Sequence, residues 1–288
     1  MTTNIYQVVT DRILAQMEQG IIPWHKPWTT LGEGGAINYV TRRPYSFLNQ
    51  MLLGLSGEWL TFKQAKSCGG NIKQGEKASV VVYYQMVEKK EINDKGEEEI
   101  KSYPVLKYYH VFHISQCEGI ESKMQTEDAD TTLQPQEKAE NIIFGYVSRK
   151  DAPKYINNQP SDQAYYQPST DTVVVPMLSQ YNNVNEYYST NFHELIHSTG
   201  HKSRLDRLTT GKASAFGGED YSREELVAEI GSAMLCNLAG IDCDKAFKNS
   251  VAYIQGWSKH LAHDPKAIVI ASAKAEKAAK YILNETEK

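Results

Sequence analysis

Apolar residues recur along this chain with two different periods. Ile5, Val8, Val9, Ile13, Leu14 and Met17 return at helical spacing, which predicts an amphipathic helix over residues 4–18. A short helix is expected over Ser46–Leu55. A second should start at Thr61, a residue suited to capping, and stop at the Gly69–Gly70 pair. The pattern then changes. Val80–Val87 and Val105–Phe112 are rich in β-branched and aromatic residues, and they flank a charged stretch containing glycine. They predict a long hairpin with Glu88–Lys101 at its tip. Gln163–Gln167 and Thr172–Val175 bracket a turn and predict a second hairpin. Helical spacing follows, with helices expected near residues 184–199, 221–239, 244–262 and 265–284.

Strands and helices are largely segregated, which predicts an α+β fold. The stretch Glu118–Glu137 is polar, acidic and poor in aromatics, and so reads as a linker. Three parts follow: an N-terminal α+β domain over 1–120, a linker over 121–138, and a mostly helical domain over 139–288. A chain of 288 residues suits two domains of ~100–200 residues.

Charge separates the two halves. Residues 1–120 hold 13 Lys/Arg against 12 Asp/Glu, and the remainder is net −5. The hairpin tip alone carries six acids and four bases, so the rest of the first half is mildly basic. No apolar run approaches the ~18 residues of a membrane span. The first 20 residues include Asp11, Arg12 and Glu18, unlike a secretory core. Cys68, Cys117, Cys236 and Cys243 show no paired spacing and read as reduced thiols, so a cytoplasmic protein is expected.

The strongest chemical signal is His193-Glu194-Leu195-Ile196-His197. Histidines four apart on a helix share one face and can reach one ion, with Glu194 placed as the base that takes a proton from water. Three sources of a third ligand present themselves. The position that supplies a third histidine in metzincins is Ser203 here, so that pattern fails. His201 follows the helix-ending Gly200. A second helix opens with Ser222 and Glu225 spaced as a capping box, and places Glu225 and Glu229 on one face. Glu225 is read as the ligand and Glu229 as the acid that orients a ligating histidine. The exchange of these two stays open, and Glu224 is a further candidate. Arg204 and Arg207 could pair with Glu219, Asp220 or a substrate carbonyl, and Tyr187, Tyr188 or Tyr221 could donate to an oxyanion.

The first half interleaves aromatics with bases. Trp24, Lys26, Trp28, Arg43, Tyr45, Trp59, Lys63, Lys73 and Lys77 are the residues read as contacting single-stranded DNA, through base stacking and phosphate pairing. Gly70–Lys77 ends in Ala78, where a nucleotide-binding loop needs Ser or Thr, so it is no such loop. His110 and His113 read as structural.

The IPWHKPW segment, the WLTFKQA box, the Gly70–Lys77 turn, HELIHSTGH, Arg204-Leu205-x-Arg207 and EELVAEIGSAML together resemble the ArdC-type antirestriction proteins of plasmids, integrative elements and phages. Ser198 stands where that family often has an aromatic residue. The resemblance implies an N-terminal domain that binds single-stranded DNA, a C-terminal zincin-like metallopeptidase domain, and protection of incoming DNA from restriction. Zn²⁺ is the expected ion, with Mn²⁺ or another divalent ion compatible with the same ligands. The expected partners are single-stranded DNA and an unidentified protein substrate, with no membrane. The alternative is a single-stranded-DNA-binding protein whose metal is purely structural, without proteolysis; such a site has no need of Glu194.

Overall fold

The computed structural model describes residues 4–25, 35–92, 98–124, 134–208, 219–242 and 251–285. The chain is a two-domain α+β protein, with strands concentrated in the N-terminal part and helices in the C-terminal part. The N-terminal elements are α1 (Ile5–Glu18), β1 (Ala36–Asn38), α2 (Phe47–Leu53), β2 (Gly57–Leu60), α3 (Phe62–Ser67), β3 (Asn71–Ile72), β4 (Ser79–Ile92), β5 (Glu98–His113) and β6 (Cys117–Glu118). One sheet has the order β1-β2-β5-β4, with β1 and β2 parallel, and β3 pairs with β6. Thr61 caps α3 as its sequence implies. Its hydroxyl accepts from the Gln64 amide, and the Gln64 side chain accepts from the Thr61 amide.

The hairpin is longer than the apolar pattern predicts. Pairing continues through Glu88↔Ser102 to Ile92↔Glu98, so most of the expected charged tip is strand. The outer arm shows no apolar alternation. Ladder bonds hold it, with cross-strand pairs such as Lys90–Glu98 at 3.0 Å.

The C-terminal elements are α4 (Pro135–Val147), β7 (Lys154–Ile156), β8 (Tyr165–Gln167), β9 (Thr172–Val174), α5 (Val184–Thr199), α6 (Glu219–Ala239), α7 (Val251–His263) and α8 (Ala267–Ile282). The second hairpin is present, but β7 adds in parallel on the far side of β9, giving the order β7-β9-β8. Helix α6 is already helical at Glu219, so Ser222 lies inside it and is no N-cap. Residues 243–250, in the expected 244–262 helix, lie outside the described residues.

The segment read as a linker is bonded to the N-terminal part at its start and is helical at its end. The Ser122 hydroxyl and the Lys123 amide donate to Glu58, and Tyr39 donates to the Glu121 carbonyl. Beyond residues 125–133, which lie outside the description, α4 buries Ala139, Ile143 and Tyr146. One core then runs through both parts of the chain. Val9, Ile13 and Met17 of α1 and the wholly buried α2 pack in the same cluster as Phe192, Ile230, Leu261 and Ile268. Val8, on the expected apolar face of α1, is exposed.

Helices α5 and α6 touch backbone to side chain. A Cβ on Gly231 would stand 2.7 Å from the Ile196 Cδ1, and Ser232 donates to the Ser189 carbonyl at 2.8 Å. Gly231→Ala should therefore lower stability by ~1 kcal/mol. The crowding costs ~1–3 kcal/mol and outweighs the ~1 kcal/mol of helix propensity gained. Adding Ile196→Ala removes all three crowding carbons, so denaturant melts of the double variant should show it more stable than the two single effects summed.

Candidate metal centre

Helix α5 supplies two imidazoles from successive turns, and α6 brings a carboxylate against them. The Nε2 atoms of His193 and His197 are 3.1 Å apart. Glu225 Oε2 lies 3.5 Å from His193 Nε2, and its Oε1 lies 3.4 Å from His197 Nε2. Two donors on a tetrahedral ion, each bonded at ~2.0–2.1 Å, stand ~3.3–3.4 Å apart. One donor atom from each of the three residues lies within 4.8 Å of the others, close enough to converge on one divalent ion, and the three side chains are partly open to solvent. Glu194, between the histidines, is 9% exposed.

The protonation pattern has the same origin. Burial disfavours a charged His197, but hydrogen bonds to Glu224 and Glu225 outweigh it and push the imidazole up to about 10. His193 is raised in the same way by Glu225. Burial would raise Glu225, yet the two histidines hold it far below the ordinary carboxylate range. Without an ion, protons occupy the place of the positive charge, and an ion must displace them.

Glu224 is the acid that orients a ligand. Its Oε1 stands 3.5 Å from His197 Nδ1, and Arg207 holds it through bonds of 2.8 and 3.3 Å. Arg207 also donates to the Thr199 hydroxyl and the Ile196 carbonyl. Glu229 points elsewhere. Its Oε2 stands 3.9 Å from His25 Nε2, away from the ligand triangle, although its charge still favours a charged His193. The acid beside the far nitrogen of His197 is thus Glu224, one residue before Glu225, while Glu229 stands beside His25. On a helix Glu224 and Glu225 diverge by about 100°, which lets one reach His197 from behind while the other meets both rings.

The remaining sequence candidates separate cleanly. His201 Nδ1 pairs with the Ser203 hydroxyl at 2.7 Å and leans toward Asp171, so neither residue joins the triangle. Arg204 pairs with Asp171 and donates to the Ser198 carbonyl, tying the sheet to the end of α5. Tyr187 and Tyr188 are buried, the first accepting from Asn157 and the second donating to Glu140. Ser198 is buried and shares a hydrogen bond with Tyr146.

Residues 3–112 match the family described as the N-terminal domain of anti-restriction factor ArdC, and residues 149–274 match one described as a zincin-like metallopeptidase. The crystal structure of antirestriction ArdC protein from plasmid R388 in its metal-free form is 33% identical, covers 98% of both chains and superposes with a TM-score of 0.69. The chain belongs to the ArdC antirestriction family. The Mn(II)-bound structure of the same R388 ArdC protein is 32% identical, covers 98% of both chains and gives a TM-score of 0.70. A DNA primase TraC of Escherichia coli is 33% identical over 96% of this chain, but the match spans only 20% of that relative's length. The zincin-like match and the Mn(II)-bound relative both point to a divalent ion.

The residues expected to touch DNA fall into three groups. Trp24 and Trp59 are 0% and 3% exposed, and no base can stack on a ring closed to solvent, so both leave the DNA-contacting set. Trp24 packs edge-on against Trp257 of α7, and Trp59 lies in a small core with Val81 and Val111. Lys26 and Trp28 lie outside the described residues. Arg43, Lys63, Lys73 and Lys77 are exposed and Tyr45 is half-buried, so these five keep the required access. His113 is structural as expected, capping the turn after β5. The sequence reading passed over Phe62, which is 56% exposed beside Lys66.

Replacing Glu224 by Gln or Arg207 by Lys should weaken ion affinity about 10–100-fold, while Glu229→Gln should leave it nearly unchanged. Competition against a chromophoric chelator measures this. Because His197 is protonated below about pH 10 in the ion-free protein, affinity should tighten about tenfold per pH unit for each proton displaced. Calorimetry in two buffers of different ionisation enthalpy counts those protons.

Proposed function

We propose that this ArdC-family chain is an antirestriction protein of a mobile element that holds single-stranded DNA and cleaves protein encountered on it. The observation that carries the reading is the His193–His197–Glu225 triangle with the buried acid Glu194 on the same helix. A site built only to hold an ion has no need of that acid. Two imidazoles and one carboxylate suit zinc, and the same donors accept manganese. A divalent ion there supplies Lewis acidity and makes water a better acid.

The chain's own groups do the rest. Glu194 takes the proton released from water and returns it to the departing amine nitrogen. Glu224, clamped by Arg207, steadies the His197 ring with its Nε2 beside that of His193, where the pair and Glu225 would hold an ion. An extended substrate cannot pair along Thr172–Val174, because β9 is the central strand of its sheet and has no open edge. The segment to be cut must therefore add at β7 or β8. No helix among the described residues is long and apolar enough to cross a membrane.

Glu194→Gln should keep ion content and DNA affinity but lose ~10²–10⁴-fold in proteolysis, and antirestriction in a conjugation assay should fall with it. Unchanged antirestriction in that variant would make the ion structural. For the nucleic acid, fluorescence anisotropy at two salt concentrations should show tighter binding of a single strand than of the matching duplex, because pairing hides the base faces. Equal affinity for both would remove the single-strand reading.

A further inference from the structure

A cleft of about 680 Å³ lies away from the metal triangle, between the edge strand β4, the turn that leads into α2, and helix α8. Four tyrosines border it, Tyr45, Tyr83, Tyr84 and Tyr109. Tyr83 and Tyr109 are 51% and 49% exposed, and Tyr45 is half-buried. In the ladder Tyr109 stands opposite Val81 and Tyr83 opposite Lys107, so Tyr83, Tyr109 and Lys107 share one face of the hairpin. The Tyr83 hydroxyl donates to Gln85, which helps hold its ring while leaving it half open to solvent.

The charge of the cleft is equally directed. Arg43 borders it from the N-terminal half, and Lys277 and Lys280 from α8. The acid on this lining is Glu276, which accepts from Lys280 at 2.8 Å and faces the Phe47 amide. The lining therefore carries a positive excess, although the C-terminal half as a whole is net −5. An added peptide strand is less well served here. The Asn49 side chain already takes both outward polar groups of Val82 on β4, each at 2.8 Å. Open rings beside bases, with the strand edge closed by a side chain, are what a chain of unpaired bases needs.

We infer that this cleft is the seat of single-stranded DNA, with bases on Tyr45, Tyr83 and Tyr109 and phosphates on Arg43, Lys277 and Lys280. The inference rests on the single-strand reading above and extends it. The site is shared between the two halves, and two of its phosphate contacts come from the helix that packs behind α5 and α6.

The test uses the full chain and a fluorescein-labelled oligo-dT, read by anisotropy across a salt series. Lys277 is exposed, so Lys277→Glu should melt at the wild-type temperature. It should bind more than tenfold more weakly at low salt, with a salt slope shallower by about 0.7 or more. Tyr83→Ala should weaken binding about tenfold with the slope unchanged. If the wild type binds oligo-dT and both variants match it, this seat is wrong and the single-strand reading stands. If the wild type does not bind, both fall. If the variants lose affinity for unfolded casein while keeping that for oligo-dT, the cleft is a peptide groove and the assignment is overturned.

Discussion

Helix α6 lies against α5 so closely that position 231 has no room for a side-chain carbon, and this contact sets the geometry of the metal triangle. Two imidazoles on one helix define only a line of donors. A third donor must come from outside, at a distance fixed to within a few tenths of an ångström. The small buried residues Ala228, Gly231, Ser232 and Ala233 let the helices approach, and Glu225 then meets both rings at once. A bulkier contact at Gly231 would separate the carboxylate from the histidines before it unfolded anything.

The C-terminal end of α5 is secured with similar economy. The last turn of a helix leaves carbonyls without amide partners. Arg207 takes that of Ile196, Arg204 adds a second donor to that of Ser198 beside the His201 amide, and each guanidinium then reaches a carboxylate on another element. Arg204 binds Asp171 in the turn before β9, and Arg207 binds Glu224 on α6. Burial would raise both carboxyls, but Arg204 and Tyr166 lower Asp171, and His197 and Arg207 lower Glu224, below the ordinary range. The side chains of Arg204 and Arg207 are 0% and 6% exposed. A buried cation that must satisfy a carbonyl and a carboxylate together calls for the planar fork of arginine, which lysine lacks.

Much of this was legible in the residues themselves. The period of α1, the cap of α3, the span of α5 and the three donors follow from spacing that a helix or strand translates directly into faces. What stayed hidden depends on contacts between distant segments. Helix α4 carries Ala139, Ile143 and Tyr146 at helical spacing, but it opens inside an acidic, polar stretch whose composition masks it. Glu224 was obscured because Ser222 and Glu225 imitate a helix start, while α6 is already under way at Glu219. The tryptophans misled for the opposite reason. An aromatic beside a lysine has the same local signature on a surface and in a core, and only the partner decides. For Trp24 that partner is Trp257, and for Trp59 it is His113.

The common core also gives the chain an order of assembly. The Thr10 hydroxyl donates to the Pro265 carbonyl, 255 residues away, and the apolar stripe of α1 rests on α7 and α8. Synthesis delivers α1 more than 230 residues before α7. Until those helices emerge, Val9, Ile13, Met17 and Trp24 lack part of the surface that covers them. Contacts of such separation close slowly and leave apolar faces open to association in the meantime. Helices α7 and α8 thus act as the clasp that closes the core over α1.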